Sequence, residues 1–120
     1  MNKRKIGSDY ETVACRYLEE HGVSVKERNF YCKAGELDII AQDGETTVIV
    51  EVKYRSTDEF GGPLYAVNRK KQHTICRCTN FYILQHPEVK QIRYDVIGIT
   101  GSRIEWIQNA FDHTAYQILI

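Results

Sequence analysis

Two short segments of this 120-residue chain carry side chains that could hold a metal ion and act on a phosphate. The first contains Glu36 and Asp38, and the second contains Glu51 and Lys53 after the apolar run Val48-Ile49-Val50. Carboxylate oxygens suit Mg²⁺ or Mn²⁺, which keep positions open for water and for a substrate phosphate. A lysine beside such an ion could orient a water or stabilise charge developing on the phosphate. The pattern indicates metal-assisted hydrolysis of a phosphodiester.

These side chains can meet only if two strands pair across a tight turn. Residues 36–42 and 46–54 are rich in β-forming residues, and Asp43-Gly44 between them is a strong hairpin signal. We predict that Asp43 and Gly44 are the two loop residues, so that Gln42 opposes Glu45.

In that register Glu36 faces Glu51, and Asp38 faces Ile49, one diagonal step from Glu51. Three carboxylates and the Lys53 ammonium then converge on one face. Like charges opposed across a sheet are destabilising, so this arrangement calls for a compensating cation. A three-residue loop would reverse the parity and separate the groups.

The remaining elements follow from periodicity and from breaking residues. Residues 8–21 have an amphipathic helical stripe that stops at Gly22, and Ser8 with Glu11 fits a capping box. Residues 23–30 read as a strand, residues 67–84 as a second helix, and residues 91–99 and 103–107 as two more strands. Gly61-Gly62-Pro63 should break the chain. The order predicts a single α/β domain over residues 1–120, with a mixed sheet flanked by helices.

Charge is balanced overall and segregated locally. Sixteen basic residues offset sixteen acidic ones, which excludes a global basic field for holding nucleic acid. Residues 36–51 contain five acidic and no basic residues, whereas residues 52–77 contain six basic and two acidic ones. Clustered solvated charges are the ordinary alternative to a functional reading. A polyanion would therefore have to be met locally.

The basic block supplies the candidates for phosphate contacts. These are Arg55, Lys70, Lys71 and Arg77, each with an ordinary surface charge as its alternative. Gln72 and His73, near the start of the second helix, could lie beside the site.

Composition also indicates the compartment. No apolar run approaches the roughly 20 residues of a membrane helix, and no apolar secretory segment follows the basic start. The four cysteines lack the paired spacing of structural zinc sites, and a reducing compartment opposes disulfides. We expect a cytoplasmic protein that does not contact a membrane, with buried or half-buried thiols.

The spacing of Asp38, Glu51 and Lys53 resembles the PD-(D/E)xK pattern of restriction-endonuclease-like nucleases, although the proline before the first acid is absent. Across nearly the whole chain the sequence is similar to the YraN-like family of bacterial proteins, which resembles archaeal Holliday-junction resolvases in organisation. The segments that carry the likeness include Gly35-Glu36-Leu37-Asp38-Ile39-Ile40, Val50-Glu51-Val52-Lys53, Lys71-Gln72-His73 and Arg93-Tyr94-Asp95-Val96.

The resemblance implies a restriction-endonuclease-like fold and a metal site. Asp38, Glu51 and the backbone carbonyl of Val52 would be ligands of Mg²⁺ or Mn²⁺, and Lys53 would be the catalytic partner. Glu36 could support the site or hold a second ion. Glu11 could reach its edge, with the capping box as the alternative role.

Three hypotheses for function follow. The leading one is a Mg²⁺-dependent endonuclease acting on DNA, branched or damaged DNA in particular. The second is a non-catalytic nucleic-acid-binding module with the nuclease fold. The third is a protein-interaction subunit, for which a homodimer is one form.

Overall fold

The computed structural model describes residues 3–55 and 67–114. The predicted break at Gly61-Gly62-Pro63 lies outside these residues. The elements run in the order α1 (Lys3–Glu20), β1 (Ser24–Cys32), β2 (Gly35–Asp43), β3 (Thr46–Arg55), α2 (Arg69–Gln85), β4 (Gln91–Thr100) and β5 (Arg103–Phe111). The predicted α/β class is confirmed, and the arrangement is compatible with a restriction-endonuclease-like core.

The five strands form one mixed sheet in the order β1-β2-β3-β4-β5. All neighbours are antiparallel except β3 and β4, which run parallel because α2 crosses over between them. Helix α1 packs with one buried cluster that includes Ala14, Leu18 and Val50, and α2 packs with another that includes Ile49 and Tyr82. The sheet is therefore covered by one helix on each face.

Helix α1 begins earlier than predicted. The helix starts at Lys3, which places Ser8 inside it, so the expected capping box of Ser8 and Glu11 is wrong. Lysine and arginine are good helix formers, and they extend the helix by more than a turn before Ser8. The predicted end is confirmed, since Gly22 follows the helix with a φ of 85°.

The β2–β3 hairpin has a different register from the predicted one. Its two loop residues are Gly44 and Glu45, and Asp43 pairs with Thr46. Gly44 has a φ of 60°, and a type II′ turn takes glycine at its first central position. The expected loop of Asp43-Gly44 is thus wrong by one residue. Because both strands move by one position, the pairing changes but the residues that share a face do not.

Helix α2 begins two residues later than predicted. Asn68 precedes it, and its Oδ1 accepts a hydrogen bond from the Lys71 amide at 2.9 Å. The exposed fraction of Ile75, Cys76 and Thr79 is zero on the face toward the sheet. The capped start holds Lys71 in the first turn of the helix.

Strands β4 and β5 are held together by a buried carboxylate. Asp95 has an exposed fraction of 0% and accepts hydrogen bonds from Arg93, from Trp106 Nε1 and from the Asn109 amide. The strand pairing is irregular between Tyr94 and Val96, and Asn109 has a φ of 53°. The Asp95 carboxylate therefore accepts hydrogen bonds from polar groups that the bulge would otherwise leave unpaired.

The expected thiols are found. The four cysteines are free, with Cys15, Cys76 and Cys78 buried and Cys32 half-buried. Within residues 3–55 and 67–114, the helices are too short or too polar to cross a bilayer.

Candidate active site

The site forms where strands β2 and β3 separate. Their pairing ends at Ile39 and Val50, although β2 extends back to Gly35 and β3 continues to Arg55. The Oδ2 atom of Asp38 accepts a hydrogen bond from the Val52 amide at 2.9 Å. The Asp38 carboxylate thus accepts the β3 hydrogen bond that a β2 carbonyl would accept in a continuous sheet, and it lies beside Glu51.

An irregularity in β1 accompanies this opening. Asn29 and Asp38 fall between the pairs Arg28–Ile39 and Phe30–Leu37, and Asn29 has a φ of 56°. Residues two apart on a regular strand share a face. Leu37 nevertheless packs in the α2 cluster while Ile39 packs in the α1 cluster. The backbone therefore turns about its axis at Asp38, which is why strict alternation does not describe the orientation of this residue.

Glu51 is buried with an incomplete set of partners. Only 1% of its surface is exposed, and its Oε1 lies 3.8 Å from the Lys71 ammonium. Its Oε2 is buried and has no hydrogen-bond partner in the described part of the chain. Burial, and after it the charge of Asp38, raises the pKa of Glu51 to about 8. The carboxylate is thus short of positive charge at neutral pH.

Asp38 is similarly affected. Burial raises the pKa of Asp38, while the Val52 amide and the ammonium groups of Lys53 and Lys71 oppose the shift. Two neighbouring carboxyl groups whose pKa values are both raised would be stabilised in their ionised forms by a nearby cation. Lys53 and Lys71 supply only part of this stabilisation.

Glu36 and Glu11 lie at the margins of the pair. Glu36 is half-buried, its Oε2 has no hydrogen-bond partner, and its charge raises the pKa of Asp38. Glu11 on α1 forms an ion pair with Arg28 at 3.5 Å, and burial followed by the charge of Asp38 raises the pKa of Glu11. The charge of Asp38 therefore acts on Glu11, whose ion-pair partner is Arg28.

The expected convergence of three carboxylates requires correction. Continuing the observed register places Asp38, rather than Glu36, opposite Glu51. Across the described part of the chain, no three His, Cys, Asp or Glu side chains are grouped so that they could hold a metal ion. The centre of the site is a pair of carboxylates.

A pair of carboxylates still fits the ion that the family resemblance implies. Mg²⁺ is usually held by one or two carboxylates, with waters completing its octahedral coordination. Asp38 and the unpartnered Oε2 of Glu51 supply oxygens of this kind. The Val52 carbonyl remains a predicted ligand. The donor set therefore matches Mg²⁺ or Mn²⁺ in chemistry and in number.

The predicted phosphate-contacting residues are not equivalent. Lys71 contacts Glu51, and the half-buried Arg55 has a buried Nη1 without a hydrogen-bond partner. Lys70 and Arg77 are exposed on α2. Only Lys71 and Arg55 are therefore embedded near the carboxylates or the strand that carries them.

The two predicted polar neighbours lie on the same helix. Gln72 donates a hydrogen bond from Nε2 to the Val67 carbonyl at 3.1 Å and so secures the start of α2. His73 is half-buried. Gln72 thus has a local structural partner.

Sequence reasoning missed two features of the site. One is the role of Asn29, for which the signal was the tolerance of asparagine for positive φ. The other is a stack of Tyr10 on Tyr54, with ring centroids 4.2 Å apart and planes inclined by 12°. No local periodicity could have found the stack, because it joins α1 to β3.

Comparison with known proteins identifies relatives over most of the chain. A family model described as "Uncharacterised protein family UPF0102" matches residues 10–99. The chain is 40% identical over 115 residues to a UPF0102 protein of Serratia proteamaculans, covering 93% of this chain and 98% of the relative. It is 44% identical over 108 residues to one from Aeromonas hydrophila, covering 88% and 83%. On both grounds, the chain belongs to the UPF0102 (YraN) family.

Proposed function

We propose that this protein hydrolyses phosphodiester bonds of DNA with the help of a bound Mg²⁺ or Mn²⁺ ion. The observation that carries the proposal is the buried Oε2 of Glu51, which has no hydrogen-bond partner among residues 3–55 and 67–114 and lies beside the half-buried carboxylate of Asp38 at an opening in the sheet. An unpartnered buried charge is costly, and a divalent cation would remove that cost.

In the proposed mechanism Asp38 and Glu51 hold the ion, and the Val52 amide holds Asp38 in place. Such an ion supplies a Lewis acid and lowers the pKa of a bound water. Lys53, two residues beyond Glu51 on β3, orients the attacking water or stabilises negative charge on the phosphate. These three side chains are the proposed catalytic residues.

Lys71 has a second part in this proposal. Its ammonium partly neutralises Glu51 at 3.8 Å before an ion enters. When a cation takes over that role, the half-exposed Lys71 becomes available to the phosphate backbone. Together with Arg55, it would give DNA a local attachment that does not depend on net charge.

The test is cleavage of a panel of labelled single-stranded, duplex, flap and four-way DNA, together with RNA, in Mg²⁺ or Mn²⁺. We expect cleavage of at least one DNA, lost by at least a hundredfold in Asp38→Asn, Glu51→Gln and Lys53→Met. Glu88→Gln, an exposed residue beyond α2, is the matched control and should be unchanged.

Calorimetric titration of the same proteins with Mn²⁺ measures ion binding independently of cleavage. We expect binding by the wild type and at least tenfold weaker binding by Asp38→Asn. Ion binding without cleavage of any nucleic acid would refute the proposed hydrolysis, and equal activity of Glu51→Gln would identify a contaminant.

A non-catalytic nucleic-acid-binding module is the second candidate. The Lys71–Glu51 ion pair favours it, because the site compensates part of its own charge. This candidate expects DNA affinity that survives chelation and the Glu51→Gln substitution. Affinity that requires the ion would exclude it.

A further inference from the structure

The stacked pair of Tyr10 and Tyr54 joins α1 to β3 and is only partly buried. Its rings are nearly parallel with centroids 4.2 Å apart, yet 47% of the Tyr54 surface is exposed. Tyr94 also stacks, on Phe111, but it is a core residue with only 2% of its surface exposed. An aromatic ring contributes to packing through the area that it buries, so the exposed part of the Tyr54 ring retains surface for another partner.

Tyr54 lies close to the candidate active site along the chain. It follows Glu51 by three residues on β3, which corresponds to about 10 Å of extended strand. Its partner Tyr10 precedes Glu11, whose carboxylate is influenced by Asp38. That length of strand equals about three stacked nucleotides at about 3.4 Å each, and because strand residues alternate between faces, a nucleic-acid strand that reaches both the Tyr54 ring and Glu51 must cross the edge of the sheet.

The edge of β3 that carries Tyr54 is open toward β2. Backbone pairing with β2 ends at Val50, whereas pairing with β4 continues to Arg55. Among residues 3–55 and 67–114, no strand pairs with this edge beyond Val50. The ring thus stands at the rim of an opening.

Positive charge lies on the other face of the same segment. Lys53 and Arg55 flank Tyr54, and strand alternation directs them away from the side of the Tyr54 ring. The Nη1 atom of Arg55 is buried and has no hydrogen-bond partner within residues 3–55 and 67–114. A cationic face and an aromatic face on one short segment match the two parts of a nucleotide, its phosphate and its base.

We propose that Tyr54, supported by Tyr10, is a stacking platform for an unpaired nucleobase a few nucleotides from the phosphate held at Asp38 and Glu51. The inference rests on the proposed function and names its substrate class. A base inside a continuous duplex already stacks on its neighbours, so the platform favours single-stranded or branched nucleic acid. Stacking on an aromatic ring tolerates any base, so no sequence preference is expected.

The experiment measures binding of single-stranded oligonucleotides that carry 2-aminopurine, with Ca²⁺ replacing Mg²⁺. We expect 2-aminopurine fluorescence to be quenched in the complex with the wild type. Tyr54→Leu should weaken binding about tenfold and abolish the quenching, since one base–aromatic stack is worth about that factor. Tyr54→Phe keeps the ring and should behave as the wild type.

Phe81→Leu is the matched control, because it removes an aromatic ring that is 37% exposed on α2. It should change neither affinity nor quenching. Thermal denaturation of each variant verifies that the fold is retained. A fully paired duplex with the same label should show no dependence on Tyr54.

The outcomes distinguish this inference from the proposed function. Cleavage or binding that is unchanged in Tyr54→Leu would refute the platform and leave hydrolysis standing. Binding that depends on Tyr54 without any cleavage in Mg²⁺ or Mn²⁺ would support the platform and refute hydrolysis. Failure of the folded wild type to bind any oligonucleotide would refute both.

Discussion

At the scale of single residues, the dominant fact is that the buried Glu51 lies next to the half-buried Asp38 with too little positive charge. Lys71 is partly exposed and its ammonium lies 3.8 Å from Glu51, so the pair is screened by solvent. Ionisation of Glu51 therefore destabilises the folded state. Stability should depend on pH and on divalent ions in a defined direction.

The folded protein without divalent ions should lose stability as the pH rises from about 5 to about 8. The pKa of Glu51 is raised from 4.5 to about 8, so in this window the folded state binds more protons than the unfolded state. The free energy of unfolding then falls with rising pH, by up to a few kcal/mol at about 1.4 kcal/mol per pKa unit. Urea denaturation in EDTA at several pH values measures this.

The comparison variant is Glu51→Gln, which cannot ionise. Its stability should vary less across the same window and should exceed that of the wild type at pH 8. Mg²⁺ should restore stability to the wild type and have little effect on the variant. An identical pH profile in the two proteins would contradict the assignment of the shift to Glu51.

At the scale of secondary-structure elements, the site depends on irregular places in regular strands. Asn29 in β1 has a φ of 56°, and Asp38 opposite it sits where the backbone changes face. Asparagine tolerates this conformation, whereas β-branched residues rarely adopt it. The orientation of a candidate ligand is thus set by a residue on the neighbouring strand.

Asn29→Val should lower the free energy of unfolding by about 1–2 kcal/mol, the cost of a β-branched residue at positive φ. It should also weaken Mn²⁺ binding, because the strand that holds Asp38 loses its local geometry. Asn29→Gly accepts the same φ and should retain most of the affinity. Equal ion binding by the valine and glycine variants would show that the irregularity does not position Asp38.

Asp95, at the bulge between β4 and β5, allows a separate test, because its substitution should affect the stability of the fold but not ion binding. Asp95→Ala leaves the Trp106 indole N–H, the Asn109 amide and two of the Arg93 donors without their acceptor, while Arg93 keeps its bond to Asp43, and should destabilise the fold by about 3–5 kcal/mol. Chemical denaturation measures the loss. Where the variant is still folded, its affinity for Mn²⁺ should be unchanged, and a selective loss of ion binding would contradict this structural role.

At the scale of the whole molecule, a neutral chain places opposite charges in adjacent blocks. Glu36, Asp38 and Glu51 are at the opening of the sheet, and the basic side chains of the next block lie at the end of β3 and along α2. Under the proposed function, DNA is attracted through a few contacts once an ion offsets the acids. Binding should then depend on salt only moderately.

The logarithm of the DNA association constant should fall with the logarithm of salt concentration with a slope between about −2 and −4. This corresponds to two to four phosphate contacts among Arg55, Lys70, Lys71 and Arg77. Lys71→Gln should make the slope shallower by about one, whereas Lys26→Gln, an exposed lysine on β1, should not. A slope unaffected by both substitutions would exclude Lys71 from the phosphate contacts.

The sequence alone determined the order and type of the elements, because helical and strand periodicity are local properties. It also determined that Asp38, Glu51 and Lys53 lie on neighbouring strands joined by a two-residue turn. The loop position was wrong by one residue, since both Asp43-Gly44 and Gly44-Glu45 are chemically acceptable turns and only the packing of both strands selects between them.

Only the tertiary structure decided how the acids meet. The separation of β2 from β3 at Asp38, the positive φ of Asn29, the burial of Glu51 and its contact with Lys71 join elements that are distant in the chain. Each depends on two helices closing on opposite faces of one sheet. Such contacts leave no periodic trace in the sequence, because their energy arises from desolvation after the chain has folded.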